Sequence, residues 1–248
     1  MSLPASGDQL LVSERFVSLQ GEGVSTGAPA AFLRLGNCNL SCSYCDTPYT
    51  WDAARFDLQD ELRPLAVSEV AQWVMSDAPG RLIITGGEPL LQHKLIAQLL
   101  EQVDQQQGDQ NVPGAGAVRL FVEIETNGTI TPSSALGARV DQWNVSPKLS
   151  NSGEPEAQRV KHQPLCDFAQ RDNAYFKFVV TSPDDVQEVE RLVEQFALVR
   201  ARVQLMPEAS SAAELKERAQ KVADWALRAR LRYSGRLHLE LYGGKRGT

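Results

Sequence analysis

The chain reads as an α/β protein, a partial and open barrel of about six parallel strands with its helices outside. Three observations predict this. Short apolar runs alternate with amphipathic helical patterns along the whole length, as a parallel sheet with crossover helices requires. The runs are too few to close an eight-fold barrel. The residues with chemical potential cluster just after the runs, at the strand ends where such folds build their ligand sites. A doubly wound sheet shares that last property and is the alternative architecture.

The elements follow in order. Residues 31–35 form a first strand, and a helix follows Ser68, a good N-cap, with Val70, Trp73 and Val74 at helical spacing. Residues 81–84 read as a strand ending at Thr85-Gly86-Gly87, and the next helix carries Leu95, Ile96, Leu99, Leu100 and Val103 on one face. Residues 120–124 are a strand ending at Glu125-Thr126-Asn127-Gly128, and 143–145 a short strand before Ser146-Pro147-Lys148. The Gln-rich, Gly-rich stretch 105–116 reads as an inserted surface loop. After the strand at 175–180, Ser182-Pro183-Asp184-Asp185 opens a helix: hydroxyl cap, proline in the first turn, acids at the positive dipole end. Val186, Val189, Leu192, Val193 and Phe196 give that helix its buried face. Residues 203–206 are a strand, Ser211 to Glu214 fits a capping box for a helix to about 227, and 236–241 form the last strand. No repeat or linker interrupts the pattern, so residues 1–248 are expected to be a single domain.

With 42% hydrophobic and 23% charged residues in 248, the chain can bury one sizeable core. No run approaches the ~18 apolar residues of a membrane span, and residues 1–8 hold no signal-peptide pattern. A net charge of −6 argues against a protein that grips nucleic-acid phosphates. The expectation is a soluble cytoplasmic protein with no membrane or direct nucleic-acid partner.

Cys38, Cys42 and Cys45 stand in Cys-Asn-Leu-Ser-Cys-Ser-Tyr-Cys, while Cys166 is alone. Such clustering suits a metal site in a reducing compartment rather than a disulfide framework. Thiolates are soft, charged donors for iron–sulfur clusters. Three of them can hold three irons of a [4Fe-4S] cubane and leave the fourth open, which makes a site reactive rather than structural. A structural zinc site completed by Cys166 or a histidine is the competing reading. His93, His162 and His238 show no metal spacing and stay outside the predicted site.

Cys-x3-Cys-x2-Cys with Tyr44 before its last cysteine resembles the radical S-adenosylmethionine (SAM) superfamily signature, whose fold is a partial TIM-type barrel. Thr85-Gly86-Gly87-Glu88-Pro89 is similar to its Gly-Gly-Glu motif. The resemblance extends to one family, the 7-carboxy-7-deazaguanine synthases of the queuosine precursor pathway. Leu19-Gln20-Gly21-Glu22-Gly23 resembles their substrate-recognition segment, and Arg34 matches the arginine that meets substrate. In Cys45-Asp46-Thr47 the family threonine coordinates Mg²⁺. Glu125-Thr126-Asn127, Ser146-Pro147-Lys148 and Met206-Pro207-Glu208-Ala209 resemble segments on the SAM side. Residues 242–248 resemble a family ending in which the Thr248 carboxylate touches substrate.

The resemblance implies a ligand set. Cys38, Cys42 and Cys45 would hold the [4Fe-4S] cluster and Thr47 the Mg²⁺. SAM would lie on Tyr44, Cys45, Asp46, Gly87, Glu88, Glu125, Thr126, Asn127, Ser146, Pro147, Lys148, Met206, Pro207, Glu208 and Ala209. Substrate would meet Leu19, Gln20, Gly21, Glu22, Arg34, Thr85 and Thr248. No side chain is assigned as catalytic, because the chemistry belongs to the cofactors. The implied reaction is ring contraction of 6-carboxy-5,6,7,8-tetrahydropterin to 7-carboxy-7-deazaguanine with loss of ammonia. It proceeds by hydrogen abstraction at substrate C6 and return of hydrogen from 5′-deoxyadenosine, so that SAM is reused. The implied partners are an electron donor such as flavodoxin or ferredoxin and a second copy in a homodimer. Glycyl-radical activating enzymes share the cysteine spacing but lack the Gln-Gly-Glu-Gly and Cys-Asp-Thr segments. They remain the enzyme alternative, and a non-catalytic zinc module is the alternative of another class.

Overall fold

A computed structural model describes residues 7–109 and 119–248. Strands β1 (Gln9–Leu19), β2 (Pro29–Leu35), β3 (Arg63–Ala66), β4 (Arg81–Gly86), β5 (Phe121–Thr126), β6 (Gln142–Val145), β7 (Ala174–Val180), β8 (Val203–Pro207) and β9 (Arg232–Tyr233) form one sheet. Its spatial order is β3-β1-β2-β4-β5-β6-β7-β8-β9. From β2 to β9 every neighbouring pair is parallel, whereas β1 runs antiparallel to both β2 and β3. The edge strands β3 and β9 do not meet, so the sheet stays open.

The helices are α1 (Leu58–Glu61), α2 (Val67–Asp77), α3 (His93–Asp109), α4 (Ser134–Arg139), α5 (Glu156–Arg159), α6 (His162–Ala169), α7 (Pro183–Gln195), α8 (Ala212–Ala229) and α9 (Leu237–Tyr242). One large core fills the space between the sheet and its helices. Leu33, Leu82, Ile84, Ile124, Trp143 and Phe178 from the strands meet Val70, Leu99, Phe168 and Val189 from the helices. A small stack of Phe16 on Phe32, ring centroids 5.0 Å apart, lies apart from that core with Ala30 and Ile83.

Four expectations need correction. First, residues 236–241 were expected as a strand, but α9 is a helix. The alternating Leu237, Leu239 and Leu241 imitate a strand, yet only Leu239 is buried, against Ala209 and Leu215, and Leu241 is 53% exposed. The last strand is instead the two-residue β9. Second, α2 starts at Val67 with Ala66 at its cap and no side-chain cap bond, so Ser68 lies inside the helix. Third, the expected loop begins as helix, because α3 continues through Gln105 to Asp109. Residues 110–116 of that stretch lie outside the described residues. Fourth, the Ser211 box is half formed: Ser211 Oγ accepts from Glu214 N at 3.3 Å, but the Glu214 carboxylate turns to Ser210. At Ser182 the reciprocal box with Asp185 is complete.

Besides β9, two strands escaped the sequence pattern. β1 alternates poorly because a register shift falls between Val12 and Glu14, and its second half is only partly covered. β3 is short and sits at the sheet edge.

Candidate active site

The parallel register places the C-terminal ends of the strands along one rim. Arg34 pairs with Thr85 and Leu35 with Gly86, and one strand further on Glu125 faces Asn144. A cavity of about 250 Å³ opens above this rim.

The cysteine loop leaves β2 through Asn37, whose φ of 68° turns the chain sharply. Two strand-end loops then lock onto it. Gly87 N donates to Leu35 O at 3.0 Å and Glu88 N to Asn37 O at 2.8 Å. Asn127 Nδ2 donates to Asn39 Oδ1 at 2.9 Å, and Asn39 Nδ2 to Thr129 Oγ1 at 2.8 Å. A side chain on Gly87 would put a Cβ 2.1 Å from Asn37 O. The glycine therefore serves the close approach of two backbone segments to each other.

Glu88 is fully buried beneath this junction. Its carboxylate accepts from Leu90 N at 2.9 Å, Thr126 Oγ1 at 2.9 Å and Asn127 N at 2.7 Å. Burial raises its pKa, and those hydrogen bonds only partly offset the rise. Glu88 thus ties the Gly-Gly loop to the loop after β5 and does not line the cavity. Pro147, Pro207 and Ala209 also lie outside the lining.

The other predicted residues all line the one cavity: Leu19, Gln20, Gly21, Glu22, Arg34, Cys38, Cys42, Tyr44, Cys45, Asp46, Thr47, Thr85, Gly87, Glu125, Thr126, Asn127, Ser146, Lys148, Met206, Glu208 and Thr248. Gln20 Nε2 bridges Glu123 and Glu125 at 3.1 Å each, and Thr85 Oγ1 donates to the other oxygen of Glu125 at 2.8 Å. Glu125 and Lys148 are not paired with each other; Lys148 Nζ donates to Ser146 Oγ at 3.2 Å. Arg34 donates through Nε to Glu14 at 2.7 Å, and among the described residues no hydrogen bond engages its terminal nitrogens. Thr47 caps a short turn (Pro48–Thr50) by position, but its hydroxyl makes no cap bond and stays 3.8 Å from Cys45 Sγ. Cys166 sits on α6 beside His162, away from the cavity.

The sequence reading missed part of the wall. Arg236 and His238, at the turn into α9, both line the cavity, as do Lys177, Asn144 and Trp51. His238, which has no metal spacing, thus lies on the cavity wall, 3.9 Å from Glu22. Its pKa is lowered, chiefly by burial. Glu22 binds Lys177 and takes Arg236 Nε at 2.8 Å, and Arg236 also binds Asp46. Burial alone would push the Glu22 carboxyl up, but Lys177 and Arg236 together hold it well below the usual carboxylate range. No local signal announces this network, because Glu22 lies far in sequence from both cations.

The three cysteines are free and share the cavity. Burial pushes the Cys38 thiol up to about 12 and raises Cys42 as well. Among the described residues, no three His, Cys, Asp or Glu side chains converge on a single-ion site. Three soft thiolates brought to one cavity suit a cubane, in which each would bond a different iron. Donor softness and the shared cavity fit the cluster.

The 4Fe-4S single cluster domain family matches residues 19–121. The 7-carboxy-7-deazaguanine synthase of Pyrobaculum aerophilum is 40% identical over 95% of this chain and 96% of its own length. The chain belongs to the 7-carboxy-7-deazaguanine synthase family. The family member of Hyperthermus butylicus is 36% identical over 93% of this chain and 92% of its own. The crystal structure of QueE from Escherichia coli shares the fold, with a TM-score of 0.66 at 24% identity over 93% of this chain and 95% of that one. SuiB of Streptococcus suis bound to S-adenosylmethionine shares it more loosely, with a TM-score of 0.50 at 12% identity over 80% of this chain and 48% of that one. As a 7-carboxy-7-deazaguanine synthase family member, the protein is a radical SAM enzyme whose cofactors are a [4Fe-4S] cluster and S-adenosylmethionine. Among the described residues no helix is long and apolar enough to cross a membrane.

Proposed function

We propose that this chain converts 6-carboxy-5,6,7,8-tetrahydropterin to 7-carboxy-7-deazaguanine and ammonia, with residues 1–248 acting as one domain. The observation that carries the reading is one cavity lined by the three cysteines, the strand-end loops and the Gln20–Arg34–Thr85 wall. When bound, the cluster and SAM supply one-electron chemistry at carbon.

The chain's own residues bind, orient and shield. Cys38, Cys42 and Cys45 hold the cluster. Lys148, an ammonium beside the cysteine loop, suits a carboxylate of SAM. Asn127 and Thr126 are fixed for SAM by the Glu88 carboxylate below them. The free end of the Arg34 guanidinium suits the pterin carboxylate in a planar fork. Gln20, whose Nε2 is taken up by two carboxylates and whose Oε1 accepts from Glu22 N at 3.2 Å, keeps one Oε1 lone pair for a pterin N–H. Thr47 offers a hard oxygen for Mg²⁺ next to a cluster ligand. The reading also includes a flavodoxin or ferredoxin as electron donor, a homodimer and a cytoplasmic location.

Anaerobic turnover of reconstituted protein with the carboxytetrahydropterin tests this reading. The expected result is deazaguanine product that requires both SAM and reductant. A fully loaded cluster that cleaves SAM but forms no such product would overturn the substrate assignment. Zinc in place of iron and sulfide would overturn the enzyme.

A further inference from the structure

Trp51 stands just beyond the Cys-Asp-Thr segment, and its indole Nε1 lies 3.3 Å from Cys45 Sγ. The approach is built by the backbone. Thr50 N and Thr50 Oγ1 both donate to Thr47 O, at 3.0 and 2.8 Å, and Trp51 N donates to Pro48 O at 3.1 Å. Thr50 is fully buried, and its carbonyl receives Asn37 N at 2.8 Å, which ties this turn to the start of the cysteine loop. The segment that carries the indole is therefore hydrogen-bonded to the start of the loop that carries the thiol. An indole N–H is a donor only, so its partner must be an acceptor, and a thiolate is a better one than a thiol. Among the described residues, Cys45 is the one of the three clustered cysteines with a side-chain N–H donor.

We propose that Trp51 is a positioning residue for the cluster, its indole N–H donating to the Cys45 sulfur and raising the reduction potential of the [4Fe-4S] centre. The inference rests on the cluster reading above and deepens it. A hydrogen bond to a ligand sulfur is stronger when the cluster carries the extra electron, so it favours the reduced state. Trp51 also lines the cavity that holds the three cysteines. An electron donor of a given potential then populates the reduced cluster more fully than it would without the indole.

The test compares anaerobically reconstituted wild type, Trp51→Phe and, as a control away from the site, Trp73→Phe. Cluster potentials are read by redox titration monitored by electron paramagnetic resonance. The wild type is also prepared with ¹⁵N-indole tryptophan and its reduced signal searched for a ¹⁵N coupling. Trp51→Phe should keep wild-type iron and sulfide per chain, shift the midpoint to more negative potential beyond replicate scatter, and abolish the ¹⁵N coupling. Trp73→Phe should do neither. An unchanged midpoint in fully loaded Trp51→Phe overturns the proposal, and so does a labelled wild type without coupling. If Trp51→Phe does not load, the labelled wild type alone decides. Absence of a cluster in the wild type would instead refute the cofactor reading.

Discussion

Arg236 Nε donates to Glu22 at 2.8 Å, joining the turn before α9 to the segment that follows β1. This bond closes the cavity wall across the open sheet: Lys177 on β7 reaches the same carboxylate, and Arg236 also binds Asp46 of the cysteine loop. A buried carboxylate shared by two cations is hard to lose, because removing it leaves both uncompensated.

Glu22→Gln should therefore destabilise the protein by about 3 kcal/mol at neutral pH. The sign with pH follows from the depressed folded pKa. The stabilisation is complete above the ordinary value of 4.5 and is lost as pH falls from there toward the lower folded value. The gap between wild type and variant should stay constant from about pH 7 to about pH 5 and shrink below that. Urea unfolding of the two proteins across this range measures it; a gap that widens on acidification would contradict the account.

Gly87→Ala should cost about 2–3 kcal/mol and prevent normal cluster loading, since the new Cβ meets backbone that cannot step aside. That Cβ would stand 2.1 Å from Asn37 O and 2.6 Å from Asn37 C. Gly108→Ala on α3, where nothing lies within 4 Å, is the matched control and should be neutral or slightly stabilising. Iron content per chain and urea midpoints distinguish the two.

Arg246 governs the tail. Its guanidinium lies 3.6 Å from the Tyr49 ring centroid and donates to Glu14 at 3.1 Å and to Glu61 at 2.7 Å. These contacts hold the segment that brings Thr248 to the cavity. Arg246→Ala should raise KM for the pterin about five-fold, equivalent to about 1 kcal/mol for a half-exposed cation–π contact. Unfolding stability should fall by no more than about 1 kcal/mol, and an unaltered KM would detach the tail from substrate binding.

Thr47→Val removes a hydroxyl that no cap bond engages while conserving shape. Stability should change by less than about 1 kcal/mol, and the Mg²⁺ concentration giving half-maximal turnover should rise. A wild-type Mg²⁺ response in the variant would take Thr47 out of the metal site.

The parallel strands from 31–35 to 203–206 were legible in the sequence because each is a compact apolar run closed by turn residues. The Ser182 cap was legible for the same local reason. β1 was not, since its bulge breaks alternation, and α9 was misread because a leucine alternation outweighed the missing partner strand. At the site, Cys38, Cys42, Cys45 and the strand-end motifs announced themselves through spacing. Arg236, His238 and Lys177 did not: each is an ordinary residue in its own segment, and its meaning comes from Glu22 far away along the chain.

The sequence by itself determined the chemistry on offer, because metal-ligand spacing and strand-end motifs are local properties of a few adjacent residues. Only the tertiary structure decided the roles of Glu88, which ties two loops together beneath the cavity rather than lining it, and of Gly87, which lines it and lets two backbone segments meet. It alone also decided which distant charges complete the wall. The physical reason is that burial and pairing depend on what the fold places opposite a side chain, and no window of neighbouring residues contains that partner.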